Sequence, residues 1–221
     1  MMKSNYLKQA LVLAFVAVFS ISCTKEELKP QLEDGKSTVV KDVEGDVGNT
    51  VGGGEAFETF YFSFKTNSKV GKSKVLTAEW DIAFANEYNS YISPNSATNN
   101  QSFGYGGVGK GALMVVNQAY DAIKTAPSDA EFASKGVNTS GLDLGDGNGW
   151  YFYEMNTHIA IPVKNRTYIL KTADGKYAKL QLISMYKGAP AVVSDINWPA
   201  PYLTFRYFVQ EDGSTNLSTK D

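Results

Sequence analysis

Hydrophobic and polar positions alternate in short runs along much of the chain, with turn residues between them. In Trp80-Asp81-Ile82-Ala83-Phe84, residues Trp80, Ile82 and Phe84 share one face of an extended segment. Phe57 to Phe64 is rich in aromatics with partial alternation. Trp150 to His158, Thr167 to Thr172, Tyr177 to Tyr186 and Tyr202 to Gln210 read most clearly as strands. Asp174-Gly175 lies between two of them and is a hairpin signal, because glycine takes a positive φ at little cost. Asp212-Gly213 marks another turn. Residues 86–106 are polar and rich in Asn and Ser, so a loop is expected there. Residues 112–126 fit either a strand or a short helix. The pattern predicts an all-β antiparallel domain with at most one short helix.

The first residues follow a different rule. Lys3 and Lys8 precede an apolar run of ten residues, Ala10 to Phe19. A membrane-spanning helix needs about 20 apolar residues, so this run reads as the core of a signal peptide. Ser20-Ile21-Ser22-Cys23 follows at once and resembles a bacterial lipobox. Residues 1–22 are therefore expected to be a lipoprotein signal peptide, with Cys23 the lipidated residue and a membrane anchor. Thr24-Lys25-Glu26-Glu27 resembles the surface-export signal of lipoproteins in one Gram-negative phylum. Residues 23–55 read as the lipidated Cys and a flexible tether, ending in Gly52-Gly53-Gly54. Ser37 to Val43 is compatible with a first strand. The domain proper is expected over residues 56–221.

Composition narrows the chemistry. The chain has 221 residues, 21 Lys plus Arg, 23 Asp plus Glu, and a formal charge of −2. No basic platform for nucleic acid is present. With one Cys and one His, neither an internal disulfide nor a Cys/His zinc cluster can form. His158 is the single imidazole available as a catalytic base, and nothing near it resembles a nucleophile elbow. No enzymatic activity is expected. Gly104-Tyr105-Gly106-Gly107-Val108-Gly109 matches G-x-G-x-x-G literally but follows a polar loop, without the strand and helix a dinucleotide site needs. Gly109-Lys110 is followed by Gly111, not by the Ser or Thr of a P-loop. Asp143 to Gly149 faintly suggests a calcium loop, yet neither register supplies the bidentate Glu.

Several segments together resemble the HmuY family of haem-capturing surface lipoproteins. They are Phe60 to Phe64, Trp80 to Phe84, Gly109-Lys110-Gly111-Ala112, Gly149-Trp150, Asn165 to Leu170, Ala173-Asp174-Gly175-Lys176-Tyr177-Ala178-Lys179-Leu180 and Thr204 to Tyr207. The resemblance spans most of residues 56–210. It implies an HmuY-like antiparallel β fold and a haem held as cargo by axial side chains, His or Met. The family register places one ligand five residues after the Trp, at Met155. A thioether is an established axial ligand, although methionine also commonly fills cores. For a second ligand, Met114 is the nearest upstream candidate. His158 is an alternative to Met155, because a regular strand puts the two on opposite faces. Tyr120 or another tyrosine is a more distant alternative, and Met185 and Tyr186 lie on a neighbouring strand. Trp150 to Tyr153 would supply an aromatic wall, a feature that equally suits a sugar-stacking surface or a sheet core. The resemblance further implies an outer-membrane, cell-surface protein that takes haem from host haemoproteins and passes it to a TonB-dependent transporter. The alternatives are another small molecule or glycan as ligand, or a non-catalytic adhesive role.

Overall fold

A computed structural model describes residues 31–220. The signal segment 1–22, Cys23 and the Thr24–Glu27 export motif lie outside the described residues. Eleven strands are present among the described residues: β1 (Thr38–Glu44), β2 (Phe60–Ser63), β3 (Ser68–Val70), β4 (Ile82–Ala85), β5 (Tyr91–Pro94), β6 (Ala112–Val116), β7 (Tyr151–Glu154), β8 (Ile159–Pro162), β9 (Thr167–Lys171), β10 (Tyr177–Ser184) and β11 (Tyr202–Val209). They form a five-stranded sheet in the order β1-β11-β10-β9-β6, a four-stranded sheet β3-β2-β4-β5, and the separate hairpin β7-β8. Every named strand pair is antiparallel. The fold is all-β, with one α-helix among the described residues, α1 (Asp129–Lys135).

The two large sheets pack face to face through alternate residues of their strands. Phe62, Phe64, Ile82, Phe84 and Ile92 meet Leu170, Leu180, Leu203, Phe205 and Tyr207 in one buried cluster. Phe62 meets Phe205 edge-on at 5.2 Å, and Phe64 stacks on Tyr207 at 4.4 Å. Each such side chain contributes roughly 1.5–3 kcal/mol through burial. The Tyr207 hydroxyl also donates to the Phe64 carbonyl at 2.8 Å, which ties one sheet to the other.

The outer face of the five-stranded sheet is covered too. Met114, Ile123, Phe132, Ile169 and Leu217 form a second core beneath α1 and the C-terminal segment. Ser128 caps α1 by accepting from the Glu131 N–H, and Glu131 answers on the Ser128 N–H. Charged groups are buried on this face as well. The Tyr120 ring lies between the Lys179 ammonium at 4.3 Å and the Arg206 guanidinium at 4.1 Å. Lys179 donates to the Tyr120 carbonyl and the Thr219 hydroxyl, both at 3.0 Å. Arg206 donates to the Leu32 carbonyl at 3.2 Å. This clamp fastens the segments at Leu32 and Thr219 to the sheet.

Three segments differ from expectation. The polar stretch 86–106 contains β5, which pairs with β4. Its small residues Ser90, Ser93, Asn95 and Ser96 are buried, a place that polarity alone does not reveal. Trp150 to His158 is not one strand: the chain reverses after Glu154 and returns as β8. Finally, Trp80 does not share the face of Ile82 and Phe84: it packs with Tyr61 and Ala83 in a separate cluster. β1 falls where Ser37 to Val43 was read as compatible with a first strand.

Candidate functional site

The β7-β8 hairpin carries two of the three predicted ligand residues. Its base is fixed by Trp150, buried to 1% exposure, whose indole N–H donates to the Ser90 carbonyl at 2.7 Å. The Tyr151 hydroxyl pairs with the Ser90 hydroxyl at 2.9 Å. On the returning strand, the Ala160 N–H donates to the Tyr186 hydroxyl at 2.9 Å. These bonds hold the hairpin against the end of the sandwich. Trp150 and Tyr151 belong to the core, so the aromatic wall is reduced to Phe152 and Tyr153, both exposed. Ile161, opposite Phe152, is exposed as well. Met185 is buried in the core.

Residues 155–158 make the turn. The His158 N–H donates to the Glu154 carbonyl at 2.8 Å and closes it. A Glu154 carboxylate oxygen accepts from the backbone and side-chain amides of Asn156, each at 3.0 Å. The Met155 side chain is left outside at 71% exposure, and His158 is exposed beside it. His158 has φ +58°, a left-handed value that single polar residues tolerate in turns. In a regular strand His158 would lie opposite Tyr153. The turn removes that constraint, and the Tyr153 hydroxyl lies 3.0 Å from His158 Nδ1. Alternation could not foresee this contact, since it exists only because the strand ends at Glu154.

Met114 is not brought to this turn. It is 8% exposed and packs with Ile123, Phe132 and Ile169 on the outer face of the five-stranded sheet. Its neighbours Leu113 and Val115 point the other way, into the inter-sheet core, where Tyr151 packs. The sheet therefore stands between Met114 and the hairpin. Tyr120 is equally remote in role, its hydroxyl paired with Ser37 at 2.8 Å and its ring held in the clamp.

The motif matches have structural explanations. A Cβ at Gly104 or Gly109 would fall 2.1 or 2.3 Å from the Asn95 side-chain oxygen, so these glycines let a loop close over buried Asn95. The Asp143–Gly149 loop is organised by Arg166, which donates to the Gly147 carbonyl and to Asp143 at 3.0 Å. Among the described residues, no group of three or more His, Cys, Asp or Glu could hold a metal ion.

A polar cleft of about 710 Å³ opens at the other end of the sandwich, beside the β2-β3 and β9-β10 turns. Two ion pairs line it, Lys74 with Glu79 at 2.8 Å and Lys176 with Glu211. Asp81 accepts from the Phe64 and Ala173 N–H groups at 2.7 and 2.9 Å. Burial pushes its carboxyl above the usual range.

A family model described as HmuY protein matches residues 57–199, well over half of the chain. The chain belongs to the HmuY family. The match runs from Phe57 through the sandwich and the hairpin to the long connection before β11. None of the curated proteins compared with it matches this HmuY-family chain. Among solved structures, apo PinO from Porphyromonas gingivitis is similar at 12% identity, covering 80% of this chain and 97% of its own, with a TM-score of 0.44. A Bacteroides vulgatus protein described as HmuY-like and heme binding has 14% identity, 78% and 91% coverage, and a TM-score of 0.41. The apo HmuY analog TFO of Tannerella forsythia has 12% identity, 79% and 95% coverage, and a TM-score of 0.41.

Proposed function

We propose that this HmuY-family chain is a surface lipoprotein that binds haem at the β7-β8 turn and delivers it to a TonB-dependent outer-membrane transporter. It takes the haem from host haemoproteins and performs no catalysis on it. Family membership over residues 57–199 carries the reading.

The donor set at the turn fits the cargo. A thioether and an imidazole are both axial ligands to haem iron, and both are exposed within four residues. Phe152 and Ile161, paired across the hairpin, offer exposed apolar surface for a porphyrin edge. Axial ligands lie on opposite faces of a porphyrin, so two side chains of one short turn serve as alternatives for one face. Met155 suits ferrous iron, to which soft sulfur binds well, and His158 serves either oxidation state. A surface turn also suits a protein that must surrender its cargo.

The layout of the domain supports delivery. Thr38 pairs with Tyr207 and Glu44 with Tyr202, so β1 runs from the clamp toward the hairpin. Seven strand residues span ~20 Å. With the anchor at Cys23, the chain joins the sandwich at one end and presents the ligand turn at the other. No helix among the described residues is long and apolar enough to cross a membrane, and a lipid anchor supplies membrane attachment.

The test is a hemin titration of residues 24–221, read by absorbance in oxidised and dithionite-reduced states, with Met155→Ala and His158→Ala alongside. Saturable low-spin bands that one of these variants abolishes are expected. The absence of any saturable change in the wild-type spectrum would overturn the haem reading. The polar cleft at the opposite end favours one second reading, a polar small molecule or glycan as ligand. A glycan-array signal without a Soret shift would select it.

A further inference from the structure

The Tyr153–His158 contact gives the exposed imidazole a defined orientation. Tyr153 Oη is 3.0 Å from His158 Nδ1, and the two rings are tilted by 53° with centroids 5.9 Å apart. Tyr153 is anchored within β7, where it pairs with Ala160 of β8. The backbone on the His158 side is equally fixed, because its N–H closes the turn on Glu154. Among the described residues, Nε2 of His158 has no protein partner. One nitrogen is thus held, and the other is free on an exposed residue.

A phenol hydroxyl both donates and accepts. When imidazole binds a metal through Nε2, its remaining proton sits on Nδ1 and needs an acceptor. Tyr153 Oη is placed to accept it. The same hydroxyl can donate to Nδ1 when no metal is bound, so the contact survives both loading and release. Such outer partners fix the ring of a metal-binding His and make it a better donor. The carboxylate of Glu154, the nearest acid in sequence, is occupied by Asn156.

We propose that Tyr153 is a positioning residue that holds His158 by Nδ1 and presents Nε2 as the iron-donating atom for haem. This rests on the haem reading above and names the donor atom and its support. Tyr153→Phe keeps the ring and removes only the hydroxyl, and at this exposed position it leaves the fold intact.

The experiment compares the wild type, Tyr153→Phe and His158→Ala, each as residues 24–221. Hemin affinity and the midpoint potential of the bound haem are measured, with nitrogen NMR of the His158 ring in the haem-free protein. Tyr153→Phe is expected to weaken hemin binding by roughly 10-fold or more while keeping nitrogen ligation. Its midpoint potential should rise, because an imidazole without a partner on Nδ1 donates less to ferric iron. The Nδ1 resonance of the haem-free protein should move as well. Unchanged affinity and potential in a haem-binding protein would overturn this inference alone. So would an unmoved Nδ1 resonance. Loss of ligation in Tyr153→Phe but not in His158→Ala would make Tyr153 itself the ligand and overturn it too. Failure of the wild type to take up hemin would overturn both this inference and the haem reading.

Discussion

The two ends of the sandwich use polar side chains in opposite ways. At the clamp end, Lys179, Arg206 and Tyr120 are buried and every one of them is bonded to another part of the chain. Their bonds join the N-terminal segment, the turn at Tyr120–Ala122 and the C-terminal tail to one sheet. At the hairpin end, Met155 and His158 stand in solvent, and the turn that presents them is satisfied by its own backbone and by Glu154. Buried polar groups that are fully paired rigidify a fold, and they are costly to disturb. Side chains left outside a self-sufficient turn cost the fold little to change. The contrast teaches that the side chains that secure the fold and those of the proposed ligand site stand at different ends of one domain.

The largest effect should come from breaking the clamp. Tyr120→Ala removes a ring buried to 1% exposure between two cations. It is expected to destabilise the protein by about 3–5 kcal/mol, measured by urea unfolding. Hemin affinity of the folded fraction should not change. A smaller effect is expected at the base of the hairpin. Trp150→Phe keeps a buried ring but leaves the Ser90 carbonyl without its donor, a loss of about 1–3 kcal/mol. If that variant lost no stability yet bound hemin less tightly, the base would belong to the ligand site and the division between ends would blur.

The acid response of the clamp end gives a third measurement. Burial opposes ionisation of Asp34, but hydrogen bonds from the Ser37 backbone and hydroxyl, Thr219 and Lys36 outweigh it and bring its pKa to about 2. A carboxyl lowered on folding adds stability that is full above its unfolded pKa of about 3.9 and is lost as pH falls through about 2. Asp34 is partly solvent-exposed, so screening leaves a contribution of about 1 kcal/mol. Asp34→Asn should flatten the stability curve between pH 4 and 2 by that amount, as read by chemical denaturation at each pH. An unaltered slope would remove Asp34 from the clamp.

Much of the fold was legible because the inter-sheet core is built by alternation. Ile82 and Phe84 share the inward face that their spacing indicates, and Asp174-Gly175 makes its turn, with Gly175 at φ +84°. The helix was also within reach, since Ser128 and Glu131 have the capping-box spacing. β5 was not legible, because small polar residues fill space beneath loops whose positions only the folded chain supplies. The proposed site was half legible. Met155 and His158 were selected by the family register and by composition. Their geometry depends on a reversal at Glu154 that no Gly or Pro announces, and the partnership with Tyr153 follows from that reversal. Met114 shows the converse: the sequence offers it only as the nearest upstream candidate, and the sheet puts it on the far face.

The smallest expected effect is the one that tests the contrast most directly. Met155 is 71% exposed on a turn whose hydrogen bonds involve Glu154, Asn156 and the His158 N–H. No polar bond depends on its side chain, and no buried cluster includes it. Met155→Ala should therefore change unfolding free energy by less than about 0.5 kcal/mol, as surface substitutions generally do. Its effect on reduced-haem binding should be far larger, because a thioether ligand has no substitute in alanine. The pairing of a negligible stability change with a clear spectral loss is what separates a ligand from a core methionine. Equal losses in both would place Met155 in the packing of the hairpin, and a loss in neither would leave His158 as the donor in both oxidation states.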